Sequence, residues 1–362
     1  MASRTPLYER HLAAGGRMVD FAGWLMPQQY TSVKEEQEAV RSRAGVFDVS
    51  HMGRFEIGGG DVASFLQGVV TNDVRKLTPN QAQYNLLCLE DGGIIDDLVV
   101  YRGPDSWTLV VNASNRGKDL AWLQQQAPPE IEIVDRSQEI GLLAVQGPAA
   151  ENLLPAETAD LGAIPYFGMG RATIAGVECA VSRTGYTGED GFELFVAADR
   201  LGEVWDALLS AGIRPCGLAA RDVCRLEAGL RLYGNDMDET VNPYEAGLGW
   251  TVKLKKGEFI GRDALEQVKS EGPRRQLVGL DGPGRTIPRH GADVKENGRS
   301  VGHVTSGTYS FWLGKGIGMA MVESGRTEPG RQLEIEGRGA PGRVEIAALP
   351  FYRGSVRQAA RA

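Results

Sequence analysis

Glycine constrains this chain more than any other residue. It fills 48 of 362 positions, about twice the usual ~7%, and it falls between short runs of β-branched and aromatic residues. That spacing predicts many tight turns and several backbone positions at positive φ. The segment Gln37 to Ala44 reads as an amphipathic helix stopped by Gly45. Phe47-Asp-Val-Ser-His-Met-Gly-Arg-Phe-Glu-Ile57 reads as a single strand ending at Gly58-Gly-Gly60. Asp61 is placed to cap a helix through Gly68, with Val62, Phe65 and Leu66 on one face. Strands near Ala82–Leu89, Ile94–Tyr101 and Trp107–Asn112 then lead to a helix carrying Leu120, Trp122 and Leu123. Short strands alternating with single helices predict an α+β sandwich.

The pattern recurs after Pro148. A helix near Ala149–Leu154, strands at Gly170–Ile174, Glu178–Ser182 and Phe192–Val196, and a helix from Asp199 to Ser210 predict a second α+β unit. From about Arg274 helical periodicity gives way to strand runs with Gly/Pro turns: Gln276–Leu280, Gly302–Ser306, Ile317–Val322, Gln332–Glu336 and Arg343–Ala347. These predict a separate all-β barrel, with the boundary at Lys269–Arg275. The length suits two or three domains.

Net charge is −8 and the isoelectric point about 5.3, which argues against a chain-wide grip on nucleic acid or anionic membrane. The basic runs Lys253-Leu-Lys-Lys256 and Arg274-Arg275 read as solvated surface charge. The first residues lack the apolar core of a signal peptide, and no stretch approaches the ~18 apolar residues of a membrane span, so a cytoplasmic protein is expected. Cys88, Cys179, Cys216 and Cys224 form no CxxC pair and read as reduced, buried residues. His11, His51, His290 and His303 lack metal-ligand spacing, so no metal is expected.

Three segments carry chemistry. In Gly92-Gly-Ile-Ile-Asp-Asp-Leu-Val-Val-Tyr101, two adjacent carboxylates head an apolar strand. Strand alternation sends only one of Asp96 and Asp97 into a given pocket, where a desolvated carboxylate suits proton handling. Turn capping or solvent exposure is the plain alternative. In Arg183-Thr-Gly-Tyr-Thr-Gly-Glu-Asp-Gly-Phe-Glu-Leu194 the glycines form GxxGxxG, which is not a dinucleotide motif. Glu193 there interrupts an apolar strand. A buried carboxylate needs donors, and a pyrimidinone edge with ring NH and exocyclic NH2 supplies two in parallel; a cross-strand surface Glu is the alternative. In Gly217-Leu-Ala-Ala-Arg-Asp-Val-Cys-Arg-Leu-Glu-Ala-Gly229, Arg221 and Arg225 share a helix face. Asp222 and Glu227 can pair with them, or one arginine can serve a polar or anionic ligand.

Taken together, these segments resemble the glycine cleavage T-proteins. So do Thr5-Pro-Leu-Tyr8, Met18-Val-Asp-Phe-Ala-Gly-Trp-Leu-Met-Pro27, Phe47-Asp-Val-Ser-His-Met52, Val110-Val-Asn-Ala-Ser114, the run Leu230-Arg-Leu-Tyr-Gly-Asn-Asp-Met-Asp-Glu239, Val304-Thr-Ser-Gly307 and Leu349-Pro-Phe351. The resemblance covers essentially the whole chain in one register. It implies two intertwined α/β-sandwich (ferredoxin-like) domains, residues 1–50 with 140–245 and 51–139 with 246–273, followed by a β-barrel over 274–362, around a central folate cavity. It also implies tetrahydrofolate as co-substrate and the lipoylated carrier (H-) protein as partner. The family's catalytic aspartate falls on Asp96, its pteridine-holding glutamate on Glu193, the loop aromatic on Tyr186, a site asparagine on Asn112 and the AARD arginine on Arg221. Tyr84 and Arg353 occupy regions that contribute to the cavity in relatives.

The implied reaction moves a carbon held between an amine and a sulfur on the lipoyl arm to folate, releasing ammonia. The protein's part is to hold the reacting atoms close and to manage protons and transient charge. Two other functions are the alternatives. Folate-binding factors of iron–sulfur protein maintenance share the fold but carry a Lys-Gly-Cys-Tyr motif, and Lys256-Gly-Glu-Phe259 has Glu258 in place of the cysteine. Folate-dependent demethylases of the same superfamily match the AARD and GYTGEDGFEL segments less well.

Overall fold

The computed structural model describes residues 2–157, 160–284, 286–337 and 341–356. A mixed sheet, an antiparallel sheet and a barrel dominate it. The first sheet runs, in spatial order, Met169–Ile174, Val177–Ser182, Gly191–Ala197, Ile140–Gln146, Gly45–Asp48 and Arg214–Pro215. The second runs Gln81–Cys88, Ile94–Arg102, Trp107–Val111, Gly53–Gly59 and Ile131–Asp135. A small sheet of Ser3–Arg4, Trp24–Gln29 and Arg17–Phe21 precedes them.

The chain threads the first sheet, crosses to the second, and returns. The crossing falls inside the run Phe47–Ile57 that reads as one strand. Gly45–Asp48 pairs antiparallel with Ile140–Gln146, whereas Gly53–Gly59 pairs with Trp107–Val111 in the other sheet. Polar groups make this corner. Asp48 accepts the Ser50 amide at 2.9 Å and the Thr5 hydroxyl at 2.6 Å, while buried Arg54 reaches back to the Ser50 carbonyl at 3.0 Å. An apolar run with one buried aspartate and one buried arginine therefore folds as two strands, since both charges need partners. The preceding helix also starts earlier than expected, at Val33, because the Ser32 hydroxyl accepts the Glu35 amide. Asp61 caps Val62–Val69 as its position implies.

The sheets stack face to face. Phe47, Val49, Leu142 and Ala144 of the first meet Tyr101 and Val110 of the second. The first sheet's outer surface, Leu143, Val145 and Leu194, buries against Val204, Trp205 and Leu208 of helix Leu201–Ser210. The second's outer surface, Phe55, Leu98, Val100 and Leu109, buries against Phe65, Leu66 and Leu123. Each such side chain contributes roughly 1.5–3 kcal/mol. From Asp96 to Tyr101, then, even-numbered residues face helices and odd-numbered ones face the first sheet, whereas an irregularity opposite Leu87 and Cys88 puts Ile95 on the helix side and Ile94 in the core shared with the barrel.

The barrel is closed, from Arg275–Gly282 through Lys315–Glu323, Arg299–Ser310, Asp293–Glu296, Gln332–Glu336 and Gly342–Ala347. Asp293–Glu296 is a sixth strand that polarity hides. It joins the next through Asn297-Gly298, both at positive φ, a hairpin turn legible in the sequence. Helix Leu218–Glu227 ties the layers together. Ala220 and Cys224 enter the core between the sheets, and Leu226 packs with the barrel residues Ile317 and Met319. Among the described residues no helix is long and apolar enough to cross a membrane.

Candidate active site

The surface where the two sheets face each other collects most of the chemically pointed side chains. Asp96 and Asp97 part as strand alternation requires, but in the opposite sense to the one expected. Asp96 lies on the helix-covered face and is fully buried. It accepts the Asn112 backbone N–H at 3.1 Å, Asn112 Nδ2 at 2.8 Å and Asn115 Nδ2 at 2.6 Å. Asp119 of helix Arg116–Gln126 sits beside it. Burial, then the neighbouring Asp96, pushes the Asp119 carboxyl well above the carboxylate range.

Asp97 turns to the facing surface. It accepts the Tyr84 hydroxyl at 2.9 Å and Asn112 Nδ2 at 2.8 Å. Burial first and the Asp96 charge second raise it to about 7. Asn112, just past strand Trp107–Val111, thus spans both carboxylates with one amide NH2. The Tyr84 ring stacks on Trp250 with centroids 5.9 Å apart.

From the first sheet, Glu193 points into the same space. It accepts the Tyr101 hydroxyl at 2.9 Å and the Thr184 hydroxyl at 2.5 Å, so a tyrosine of one sheet anchors the carboxylate of the other. The loop before it is rigid. Buried Arg183 holds Asp190 at 2.8 and 2.5 Å and Glu151 at 2.6 Å. At Gly185 a Cβ would come within 1.9 Å of Gln146 Oε1, and Gly188 has φ +79°, so both positions need glycine. Tyr186 donates its hydroxyl to the Arg231 carbonyl.

The two helical arginines have different fates. Arg225 is consumed by Asp236 at 2.6 Å, Asp222 at 2.8 Å and the Ser306 hydroxyl at 2.8 Å. Glu227 pairs with neither arginine; it binds Arg41 of helix Val33–Ser42 at 2.9 and 2.6 Å. Arg221 lies over the Tyr186 ring at 4.8 Å, and its Nη1 is buried without a hydrogen-bond partner among the described residues. Burial lowers its pKa, and Glu193 is the first charge opposing that shift. An orphaned buried guanidinium donor near a carboxylate is a place prepared for a polar guest.

Six of the residues singled out in the sequence are therefore buried or half-buried: Tyr84 and Asn112 meet at Asp97 with Asp96 behind, Arg221 lies over Tyr186, and Glu193 is held by Tyr101 and Thr184. Arg353 is exposed, and no hydrogen bond or ion pair joins it to the others among the described residues. Its neighbour Ser355 binds Glu189 at 2.7 Å. Sequence reasoning passed over Tyr101, Trp250 and Arg231, whose Nε donates to the Ala246 carbonyl at 2.8 Å. Tyr101 carried a signal, since it lies in the same alternation as Asp97. Among the described residues no group of three or more His, Cys, Asp or Glu is placed to hold a metal ion.

Comparison with known proteins meets this geometry. The family described as the GCVT N-terminal domain matches residues 7–256, and the glycine cleavage T-protein C-terminal barrel domain matches residues 275–353. An aminomethyltransferase of Bacillus subtilis is 46% identical over 98% of this chain and all of its own length. One from Thermotoga petrophila is 49% identical over 98% of this chain and 99% of itself. The crystal structure of glycine cleavage system aminomethyltransferase T from Bartonella henselae aligns with a TM-score of 0.91 at 33% identity, over 99% of this chain and all of that one. The chain belongs to the glycine cleavage T-protein family, the aminomethyltransferases.

Proposed function

We propose that this aminomethyltransferase moves the aminomethyl carbon from the lipoyl arm of the glycine cleavage carrier protein to tetrahydrofolate, and that Asp97, in place of the expected Asp96, is the carboxylate at the reacting nitrogens. The products are 5,10-methylenetetrahydrofolate, ammonia and the dihydrolipoyl carrier. The domain division given by the resemblance belongs to this reading, supported by the chain's passage from one sheet to the other and back.

The residues fit a pterin. Glu193 offers a carboxylate to a ring NH and its neighbouring NH2. The unpartnered Nη1 of Arg221 is a donor awaiting an acceptor, and Tyr186, held from behind by Arg221, gives an aromatic wall. Bound tetrahydrofolate would supply the nitrogens that take up the one-carbon unit. The chain then orients and manages protons. Tyr84 and Asn112 fix Asp97 from two sides, so its carboxylate needs no reorganisation when positive charge develops nearby. With its pKa near 7, Asp97 can accept a hydrogen bond or a proton at working pH. Asp96 acts one step back by holding Asn112.

The observation that carries the assignment is the direction of the two carboxylates: Asp97 shares a surface with Tyr84, Tyr101 and Glu193, and Asp96 does not. The reaction itself is tested by ammonia release. Release should require both tetrahydrofolate and lipoylated carrier bearing the aminomethyl group. Equal release with unlipoylated carrier, or demethylation of a small methylated amine at a comparable rate, would overturn it.

A further inference from the structure

Resting on that function, we infer that the carrier docks through an acidic face on the lysine-lined pocket beside Trp250, and that its lipoyl arm enters across the Trp250 indole. The pocket, of about 350 Å³, is lined among others by Lys76, Lys253, Lys255, Lys256 and Lys269, with Asp73 its one acidic residue. Lys256 is structural. Its ammonium donates to the carbonyls of Gln67 and Asn72 at 2.7 and 2.9 Å and so closes the end of helix Val62–Val69. Lys76, Lys253, Lys255 and Lys269 are exposed, and no ion pair holds Lys255 or Lys269 among the described residues.

This basic pocket stands out on a chain of net charge −8. An acidic partner repelled by the molecule as a whole is drawn to it.

Trp250 supplies the second half of the argument. It is 57% exposed, and Lys253 Nζ donates to its backbone carbonyl at 2.7 Å, which ties the Trp250 main chain to the pocket rim. Its inner face stacks on Tyr84, whose hydroxyl binds Asp97. The stacked pair Trp250 and Tyr84 thus leads from the surface to the carboxylate. An uncharged alkyl arm suits the indole, and an acidic protein body suits the lysines. A polyanionic γ-glutamyl tail on folate would use the lysines but not the indole.

The test is carrier-dependent ammonia release by the Lys255→Glu/Lys269→Glu protein at low salt. The KM for lipoylated carrier should rise about tenfold or more, while kcat at saturating carrier and tetrahydrofolate affinity stay as in the unaltered protein. Added salt should narrow the gap. A charge-matched Arg17→Glu/Lys34→Glu protein should keep the original carrier KM. Trp250→Ala should lower affinity for lipoylated carrier and leave that for unlipoylated carrier unchanged. A carrier KM within twofold in the lysine variant, or an equal rise in the charge-matched one, overturns the docking site. So does a change confined to polyglutamylated folate, which would give the pocket to the glutamyl tail. Equal losses for both carrier forms in Trp250→Ala would remove the arm's path. If the unaltered protein releases no ammonia with any carrier, the failure lies in the function and not in the docking site.

Discussion

The two sides of strand Ile94–Arg102 hold one carboxylate each and treat them differently. On the helix-covered side, Asp96 is met by three N–H donors from Asn112 and Asn115. On the side facing the first sheet, Asp97 receives one hydroxyl and one amide and is raised to about 7 by burial and by its neighbour's charge. A fully supplied carboxylate builds structure, here the link from strand to helix through Asn115. An undersupplied one keeps capacity for a partner that arrives later, which is the usual condition of a working acid or base. Asn112 couples the two, so the structural carboxylate also aims the reactive one.

The sharpest way to break this contrast is Asp97→Asn. Turnover should fall by about 10²-fold or more, the range for a positioned proton-transfer group, with the fold retained. Thermal unfolding read alongside has a defined sign. The folded-state pKa of Asp97 is raised, so its ionisation costs stability as pH climbs from the ordinary carboxylate range through about 7. Relative to the unaltered protein, the Asn variant should therefore be more stable at pH 8 than at pH 4. Turnover close to normal would take Asp97 out of the chemistry.

Glu193→Gln probes the opposite sheet. It trades a charged acceptor for a mixed group and should weaken tetrahydrofolate binding by about 1.5–3 kcal/mol. An unchanged titration in folded protein would separate Glu193 from the ligand. The smallest kinetic effect belongs to Asp96→Asn, with turnover reduced by less than about tenfold. Its cost should appear in stability, about 1–3 kcal/mol, because the new NH2 confronts N–H donors. A stable but inactive Asp96→Asn protein would reverse the roles of the two faces.

Much of this was legible in the sequence, and the limits have physical causes. Asp61, the strand Ile94–Arg102 and the glycine-ended helix over 218–227 follow local rules of capping and alternation. Glu193 could be singled out as a carboxylate within an apolar strand, but not its donor Tyr101, which comes from the other sheet. The corner at Ser50 was hidden because its cause is tertiary: the partners that close it, Thr5 and Leu142, are far away in sequence. Alternation says that Asp96 and Asp97 diverge, yet the choice of face depends on which side the helices cover, and that is set by packing at Leu98 and Val100. Likewise Arg221 and Arg225 are equivalent by spacing; Asp236 from the loop after the helix and Ser306 from the barrel claim one of them, and only tertiary structure brings them there.

The pH dependence of kcat/KM for tetrahydrofolate tests the assignment most directly, since it reports the ionisation of the free enzyme. With Asp97 as the acceptor that must be ionised, kcat/KM rises with pH through about 7. In Asp96→Asn the rise should persist and shift to lower pH, because the Asp96 charge is one of the two causes of the raised value. In Asp97→Asn the rise should be absent and the residual rate flat across the same range. A rise near 7 that survives in Asp97→Asn, or that disappears in Asp96→Asn, would contradict the account.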